Sequence, residues 1–598
     1  MSVSEEKINE VGRKAQENAN LIWNAANSLF GAFKPHEYGQ VILPMCVIKR
    51  FHDCLLPYHE DILEAAEKYK NAGPLKAGFL KKASHYQFYN TSKFTFDLLK
   101  ADPENIEENF DDFLHGFSEN VIEILTRMNF FAQVDRMKEA KLLYQIIVDF
   151  STEKMDMSEK NFTTVDMGYI FENLVQRFSE SYNEEAGAHF TSRDIIYLMC
   201  DLLVTNSEAL NDEDGLHCTV YDMTMGTSQM LTCMEERLKQ IDANADVKTF
   251  GQEINPFTMG VAAADTIIHG GDPDNMKFGN TLSDDQFSGY QFDFCISNPP
   301  FGIDWKREAV EVEKEHKLGE AGRFAPGLPG KSDGQMLFLL NGIAKLKDNG
   351  RMAIIQNGSS LFAGDAGSGQ SEIRKYIIEN DWLDAIVQLP NDSFYNTGIS
   401  TYIWIIDKSK PLRSPGIIQL IDASKCCVMR RKAIGNKRVD INDICRKLIT
   451  KAHSEYTEKT YSEQISDDVI VSCSSKIFNN YELGYSKITV ERPMYDETGK
   501  ILLKKGKPIA DKQKRDTEIV PLSDKIEDYF KREVLPYAPD AWIDETKTKE
   551  GYEIPMTRLF FEYDIPESTE ILKNKLIELE SRISSKSLEL LGKEESNE

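Results

Sequence analysis

The chain has 598 residues, 41% of them hydrophobic and 10% aromatic, with 97 Asp and Glu against 70 Lys and Arg and a formal net charge of -27. That composition supports folded cores and excludes a disordered polar chain; as a soft prior the length allows about three or four domains. So large an acid excess also makes the chain a poor candidate for wrapping nucleic acid unaided, because non-specific affinity comes from phosphates neutralised by Lys and Arg.

No apolar run reaches transmembrane length, and Met1-Ser2-Val3-Ser4-Glu5-Glu6-Lys7 does not read as a signal peptide. A cytoplasmic protein with no membrane role is expected. Ten cysteines occur without a C-x-x-C pair, which suggests reduced thiols and no metal site. Residues 1–160 read as an N-terminal helical domain. Val41, Ile42, Pro44, Met45, Val47, Ile48 and Phe51 form an apolar stretch there, and no strand–glycine–helix unit occurs. A docking or lid role suits it.

Residues 161–425 change texture to apolar strands alternating with amphipathic helices. Strands are expected at 218–221, 248–253, 292–297, 351–355, 383–389 and 400–406, and a helix over 335–347. Such alternation predicts an α/β fold with a Rossmann-like, doubly wound sheet. The last two strands are joined by 390–399, too short for a full helix, so they are expected to form an antiparallel edge of a mixed sheet. Residues 426–565 read as a less regular region with two basic clusters. One comprises Arg430, Arg431, Lys432, Lys437 and Arg438; the other Lys500, Lys504, Lys505, Lys507, Lys512, Lys514 and Arg515. Each is readable as a solvated loop or as an attracting patch. In 566–598, Leu572, Leu576, Leu579, Ile583 and Leu590 lie near a heptad spacing. The stripe is too short for a self-sufficient coiled coil and suggests a helix for subunit contact.

The chemistry centres on Asn298-Pro299-Pro300-Phe301. Two prolines end the apolar run 292–297 abruptly, since neither can continue a ladder. An amide is thereby presented at the C-terminal edge of a strand, where ligands of open α/β sheets collect. The amide oxygen and the Pro299 carbonyl are acceptors suited to a substrate NH2 group, and a neighbouring ring suits a flat base. A nucleotide-like cofactor needs a glycine turn after the first strand and an acid after the second. Here the turn 222–231 carries Asp222 and Gly226, and Glu253 stands where it can accept both ribose hydroxyls. Gly279-Asn280-Thr281-Leu282 offers an amide near an adenine position.

Taken together, these motifs resemble, over most of the chain, the modification (M) subunit of type I restriction–modification systems. That family is a group of S-adenosylmethionine-dependent adenine-N6 DNA methyltransferases. The segment 166–172 resembles the helix leading into its catalytic domain. Gly187-Ala188-His189-Phe190-Thr191-Ser192-Arg193 resembles its G-x-x-[FY]-T-P-R segment at the methionine end of the cofactor pocket. Gly251-Gln252-Glu253 is similar to the ribose-binding strand end, and Asn280-Thr281-Leu282 to D-T-L with Asn for Asp. Asn298-Pro299-Pro300-Phe301 corresponds to the catalytic tetrapeptide, while Lys331-Ser332-Asp333-Gly334-Gln335 and 389–394 have counterparts around the target base. At the first turn the family reads D-P-x-C-G-[ST]-G-G. This chain keeps Asp222, Gly226 and Thr227 but has Met223, Met225, Ser228 and Gln229.

The resemblance implies S-adenosylmethionine as cofactor, double-stranded DNA with a flipped adenine as substrate, and Phe301 stacking on that base. It also implies a specificity (S) subunit, a restriction (R) subunit and a second M subunit as partners. Three other readings stay open at this point. They are a solitary adenine methyltransferase, a non-catalytic methylase-fold scaffold subunit, and methylation of RNA or protein.

Overall fold

The computed structural model describes residues 20–594, apart from 21, 24, 35–36, 163–169, 171–173, 175–190, 208–209, 211–214, 269, 396, 467–468 and 562–567. The chain divides into two compact units, one ending at Ile554 and the other beginning at Pro555. In the first unit, the N-terminal apolar stretch lies within α1 (Tyr38–Leu55), whose residues from Val41 to Phe51 are all buried. Around α1 pack shorter amphipathic helices, among them α2 (Glu119–Arg127), which buries Val121, Ile124 and Leu125.

The α/β region opens with α3 (Arg193–Val204) and β1 (His217–Asp222). It continues through α4 (Gln229–Ile241), β2 (Asp246–Glu253), α5 (Pro256–Ile268), β3 (Met276–Phe278) and β4 (Phe292–Ser297). Then come α6 (Gln335–Ala344), β5 (Leu346–Asn357), α7 (Gly369–Glu379), β6 (Leu383–Gln388) and β7 (Thr401–Asp407). Next follow β8 (Ile417–Asp422), the hairpin β9 (Val428–Ile434) and β10 (Lys437–Asp440), and α8 (Asp443–Glu455). β11 (Lys459–Ser466), β12 (Val469–Asn479) and β13 (Gly484–Glu491) complete the series.

Ten of these strands form one sheet in the order β11-β12-β8-β6-β7-β5-β4-β1-β2-β3. The strands β3, β2, β1, β4 and β5 run parallel to one another. Every residue of β4 and of β7 is buried, as continuous apolar runs covered on both faces should be. The chain leaves β1 in one direction for β2 and β3 and returns to β4 on β1's other side. That reversal is the switch point at which open α/β sheets bind ligands. The fold is thus a Rossmann-like mixed sheet, as the alternation predicts.

β6 and β7 are antiparallel, as expected, but β7 inserts between β5 and β6. The sheet then runs on through β8, β12 and β11, so its antiparallel margin is built partly from the stretch set apart as 426–565. β13 belongs to a separate small sheet with strands 516–521, 542–543 and 549–552. In the second unit, α9 (Thr569–Glu594) leaves Leu572, Leu576, Leu579 and Ile583 exposed; the side chain of Leu590 lies outside the described residues. No described helix is long and apolar enough to cross a membrane.

Candidate active site

Asn298 follows the last residue of β4, and Pro299 and Pro300 end the strand there. Its Nδ2 donates to the Thr191 Oγ1 at 2.8 Å, a contact spanning 107 residues of sequence. The Asn298 Oδ1 is buried and has no hydrogen-bond partner among the described residues. One end of the amide is therefore tied down while the other, an acceptor, stays unused beside a cleft. Thr191, Asp222, Gly226, Glu253, Asn280, Thr281, Asn298 and Pro300 all line that cleft, at the C-terminal ends of β1, β2, β3 and β4. Phe301 is half-buried and meets the ring of Phe394 edge-on, with centroids 6.3 Å apart. Pro299 is buried.

Asp222 ends β1 almost fully buried, accepting from the Ser297 hydroxyl at 2.6 Å and the Thr224 N–H at 3.0 Å. Burial pushes its carboxyl up to about 7; those two hydrogen bonds pull the other way, and the charge of Glu253 adds to the rise. Glu253 accepts the Gly226 N–H at 2.9 Å on one oxygen and the Asn255 N–H at 2.7 Å on the other. A carboxylate has about four lone-pair sites, so each oxygen keeps one for a diol.

The unusual turn residues are absorbed from below. Met223 and Met225 are buried. A Cβ on Gly251 would lie 2.2 Å from the Met225 sulfur, and one on Gly342 would lie 2.9 Å from the Met223 methyl. Two glycines on neighbouring elements thus provide the space that long thioether side chains need. Ser228 adopts φ 63° at the N-cap of α4, a left-handed conformation that costs a residue with a Cβ about 1–2 kcal/mol. Its hydroxyl turns toward Asp265, at 3.5 Å, and Ser228 does not line the cleft. Gln229 does line it.

At the far end, the Asn280 Oδ1 accepts the Leu282 N–H and its Nδ2 donates to the Glu308 carboxylate, both at 2.9 Å. Thr281 donates its hydroxyl to the Met223 carbonyl at 2.5 Å. Glu308 was not singled out in the sequence, nor were Thr224, Ser297 or Trp305, although all but Ser297 line the cleft. The loop 301–308 has no periodicity to mark it, and its position directly after the tetrapeptide was the one available signal. Of the other predicted residues, Thr227 lines the cleft, whereas Ser192 and Arg193 are buried at the start of α3 and do not. Gly187, Ala188, His189 and Phe190 lie outside the described residues, as do 166–169 and 171–172. In the 331–335 motif, Gln335 is buried and donates to Asp333, Asn357 and Ser359, bracing the end of β5 rather than facing a ligand.

Comparison with known proteins agrees with this architecture. The family model described as N-6 DNA methylase matches residues 163–487, more than half of the chain. The chain belongs to the N-6 DNA methylase family. A second model, the HsdM N-terminal domain, matches residues 18–150 of this N-6 DNA methylase. It is 28% identical over 280 residues to the type I restriction enzyme MpnII methylase subunit of Mycoplasma pneumoniae, covering 45% of this chain and 48% of that one. It is 30% identical over 221 residues to the HindI methylase subunit of Haemophilus influenzae, covering 37% and 46%. The matches therefore span about half the length of these curated relatives. Among solved structures, a type I restriction-modification methyltransferase subunit from Streptococcus thermophilus shares the fold. Its TM-score is 0.60 at 21% identity, over 78% of this chain and 97% of that one.

Proposed function

We propose that this N-6 DNA methylase is the modification subunit of a type I restriction–modification complex. It transfers a methyl group from S-adenosylmethionine to adenine N6 in DNA, at a site chosen by a specificity subunit. The buried, unpartnered Asn298 Oδ1 carries the reading. An unsatisfied buried acceptor costs about 1–3 kcal/mol, and a substrate NH2 group removes that cost on arrival. The Asn298 Oδ1 and the Pro299 carbonyl accept the two N6 hydrogens. This draws the nitrogen lone pair out of conjugation with the ring and makes N6 a better nucleophile. Because Thr191 fixes the amide beforehand, little reorganisation is needed in the transition state.

The cleft residues suit S-adenosylmethionine. Glu253 has lone pairs left for the ribose hydroxyls, the Gly226-Thr227 turn and Asp222 line the middle of the cleft, and Asn280 with Glu308 forms a polar end for the adenine. When bound, the cofactor supplies an electrophilic methyl on its sulfonium. Phe301 stacks on the target base, which is flipped out of the duplex because its N6 is otherwise inside the stack. The named relatives are methylase subunits of type I restriction enzymes, which supports a specificity subunit, a restriction subunit and a second copy of this chain as partners.

The test is Asn298→Ala, assayed with the specificity subunit on duplex DNA. Methyl transfer should fall at least about a hundredfold, the scale for loss of one preorganised group. Calorimetric binding of S-adenosylmethionine should stay at the wild-type level. Undiminished methylation by the variant would refute the assignment.

A further inference from the structure

We propose that the β-hairpin of residues 493–511 grips the phosphate backbone of double-stranded DNA beside the catalytic edge, an assignment that rests on the methyltransferase reading above. The position of this hairpin follows from the path of β13. Helix α7 begins after β5, at the C-terminal edge of the large sheet, and ends before β6, at the opposite edge. Gly484, at the start of β13, pairs with Tyr552, whose backbone bonds Ser371 and Arg374 in the first half of α7 and whose hydroxyl reaches Glu379 at its end. Lys487 then reaches Asp365, in the loop between β5 and α7, at 2.5 Å. β13 therefore runs toward the C-terminal edge, where the Asn298 cleft opens, and passes that edge at Lys487.

Glu491 stands four residues farther on, about 13 Å at the usual strand rise of about 3.3 Å. A satellite core of Ile488, Val490, Val520, Phe530 and Val534 stiffens this overhang. The hairpin grows from its end. It is held by Met494 N–H to Ile509 carbonyl and Leu502 N–H to Met494 carbonyl bonds, each 2.8 Å. One tip is a two-residue turn, Lys505-Gly506, with φ 53° and 80°, the positive pair that a tight hairpin requires; a second turn at 496–500, which carries Lys500, closes the pairing of Tyr495 with Ile501. Asp540 clamps the root through Arg492 and the Tyr495 hydroxyl.

The charge of this ribbon opposes that of the chain. Residues 493–511 hold four Lys against three Asp and Glu, and Lys512, Lys514 and Arg515 follow at the root, in a protein where acids outnumber bases 97 to 70. Lys514 and Arg515 are paired, with Asp511 and Glu491. Lys500, Lys504, Lys505, Lys507 and Lys512 are exposed, and none pairs with a carboxylate among the described residues. Elsewhere the basic cluster of 430–438 is partly spent inside the fold, Lys437 being buried on Asp194 and Arg430 paired with Asp440. A rigid ribbon of unpaired ammonium groups overhanging the substrate edge fits a polyanion. The duplex that carries the target base is the polyanion which must approach that edge.

The test compares the full-length wild type, assembled with the specificity subunit, with the same complex carrying Lys500→Gln, Lys504→Gln, Lys505→Gln, Lys507→Gln and Lys512→Gln. Binding to a fluorescein-labelled 30-base-pair duplex is measured by anisotropy between 50 and 300 mM KCl. Five lost phosphate contacts should flatten the log–log salt slope by about 4.5, and the matching Lys→Arg variant should restore it. The Gln variant should keep the wild-type melting profile and S-adenosylmethionine affinity. An unchanged slope, or no measurable duplex affinity in the wild type, overturns the hairpin assignment. So does tighter binding to single-stranded RNA of equal length. None of these outcomes touches the Asn298→Ala test, so the two proposals fail separately.

Discussion

Ser228 shows how a residue can break a motif without breaking a site. Its position needs a left-handed backbone, which glycine adopts freely and serine at a cost. The serine hydroxyl faces Asp265, away from the cleft, so the cost falls on stability rather than on ligand contact. Ser228→Gly should therefore raise the chemical-denaturation midpoint, by a gain of about 1 kcal/mol, and leave S-adenosylmethionine affinity unchanged in a calorimetric titration. The methionines at 223 and 225 are explained at the same scale. Each fills space left by a glycine on a neighbouring element, so residues that look foreign in the motif are ordinary core. Asn298 was legible because prolines and an apolar strand lie beside it in sequence. Its tether, Thr191, lies 107 residues away and could not be read as such.

Among the elements, α5 joins the two halves of the first unit. Val261, Ala263, Ala264, Ile267 and Ile268 pack into the N-terminal helical core, while Met259 and Ala262 face the sheet. α2 comes close enough that a Cβ on Gly260 would lie 2.5 Å from Met128 Cγ and 3.2 Å from the Ile124 carbonyl oxygen. Gly260→Leu should push the helices apart and cost about 1–3 kcal/mol, as overpacking does. Faster limited proteolysis between the helical domain and the sheet would register it. The N-terminal helices thus share a core with the catalytic region, which a docking or lid role alone would not require. Strands β4, β6 and β7 were legible within a residue or two because buried strands are continuous apolar runs. β11 was not. It reads Lys-Thr-Tyr-Ser-Glu-Gln-Ile-Ser with only Tyr461 buried, and polar edge strands declare themselves through their pairing rather than their pattern.

Across the whole molecule, buried charge locks the sheet together. Arg351 on β5, fully buried, meets Asp384 on β6 at 3.1 Å and Asp407 on β7 at 3.3 Å. Arg413 and His453 also reach Asp384, at 2.7 and 3.0 Å. Burial alone would raise the Asp384 pKa, but the hydrogen bond and charge of His453, with Arg351 and Arg413, hold it well below the usual carboxylate range. Asp384→Ala would leave Arg351 under-compensated and should cost about 3–5 kcal/mol, measurable as a lowered denaturation midpoint. The sequence by itself determined the α/β class, the placement of Asn298 at a strand end and the acid at Glu253. These are local signals, carried by runs of apolar residues and by the prolines that stop them. Only the tertiary structure decided that Thr191 holds Asn298, that Glu308 meets Asn280, and that Lys487 of β13 reaches Asp365 in the loop after β5. Those relations join residues far apart in the chain, and neither periodicity nor composition records a distance that only packing creates.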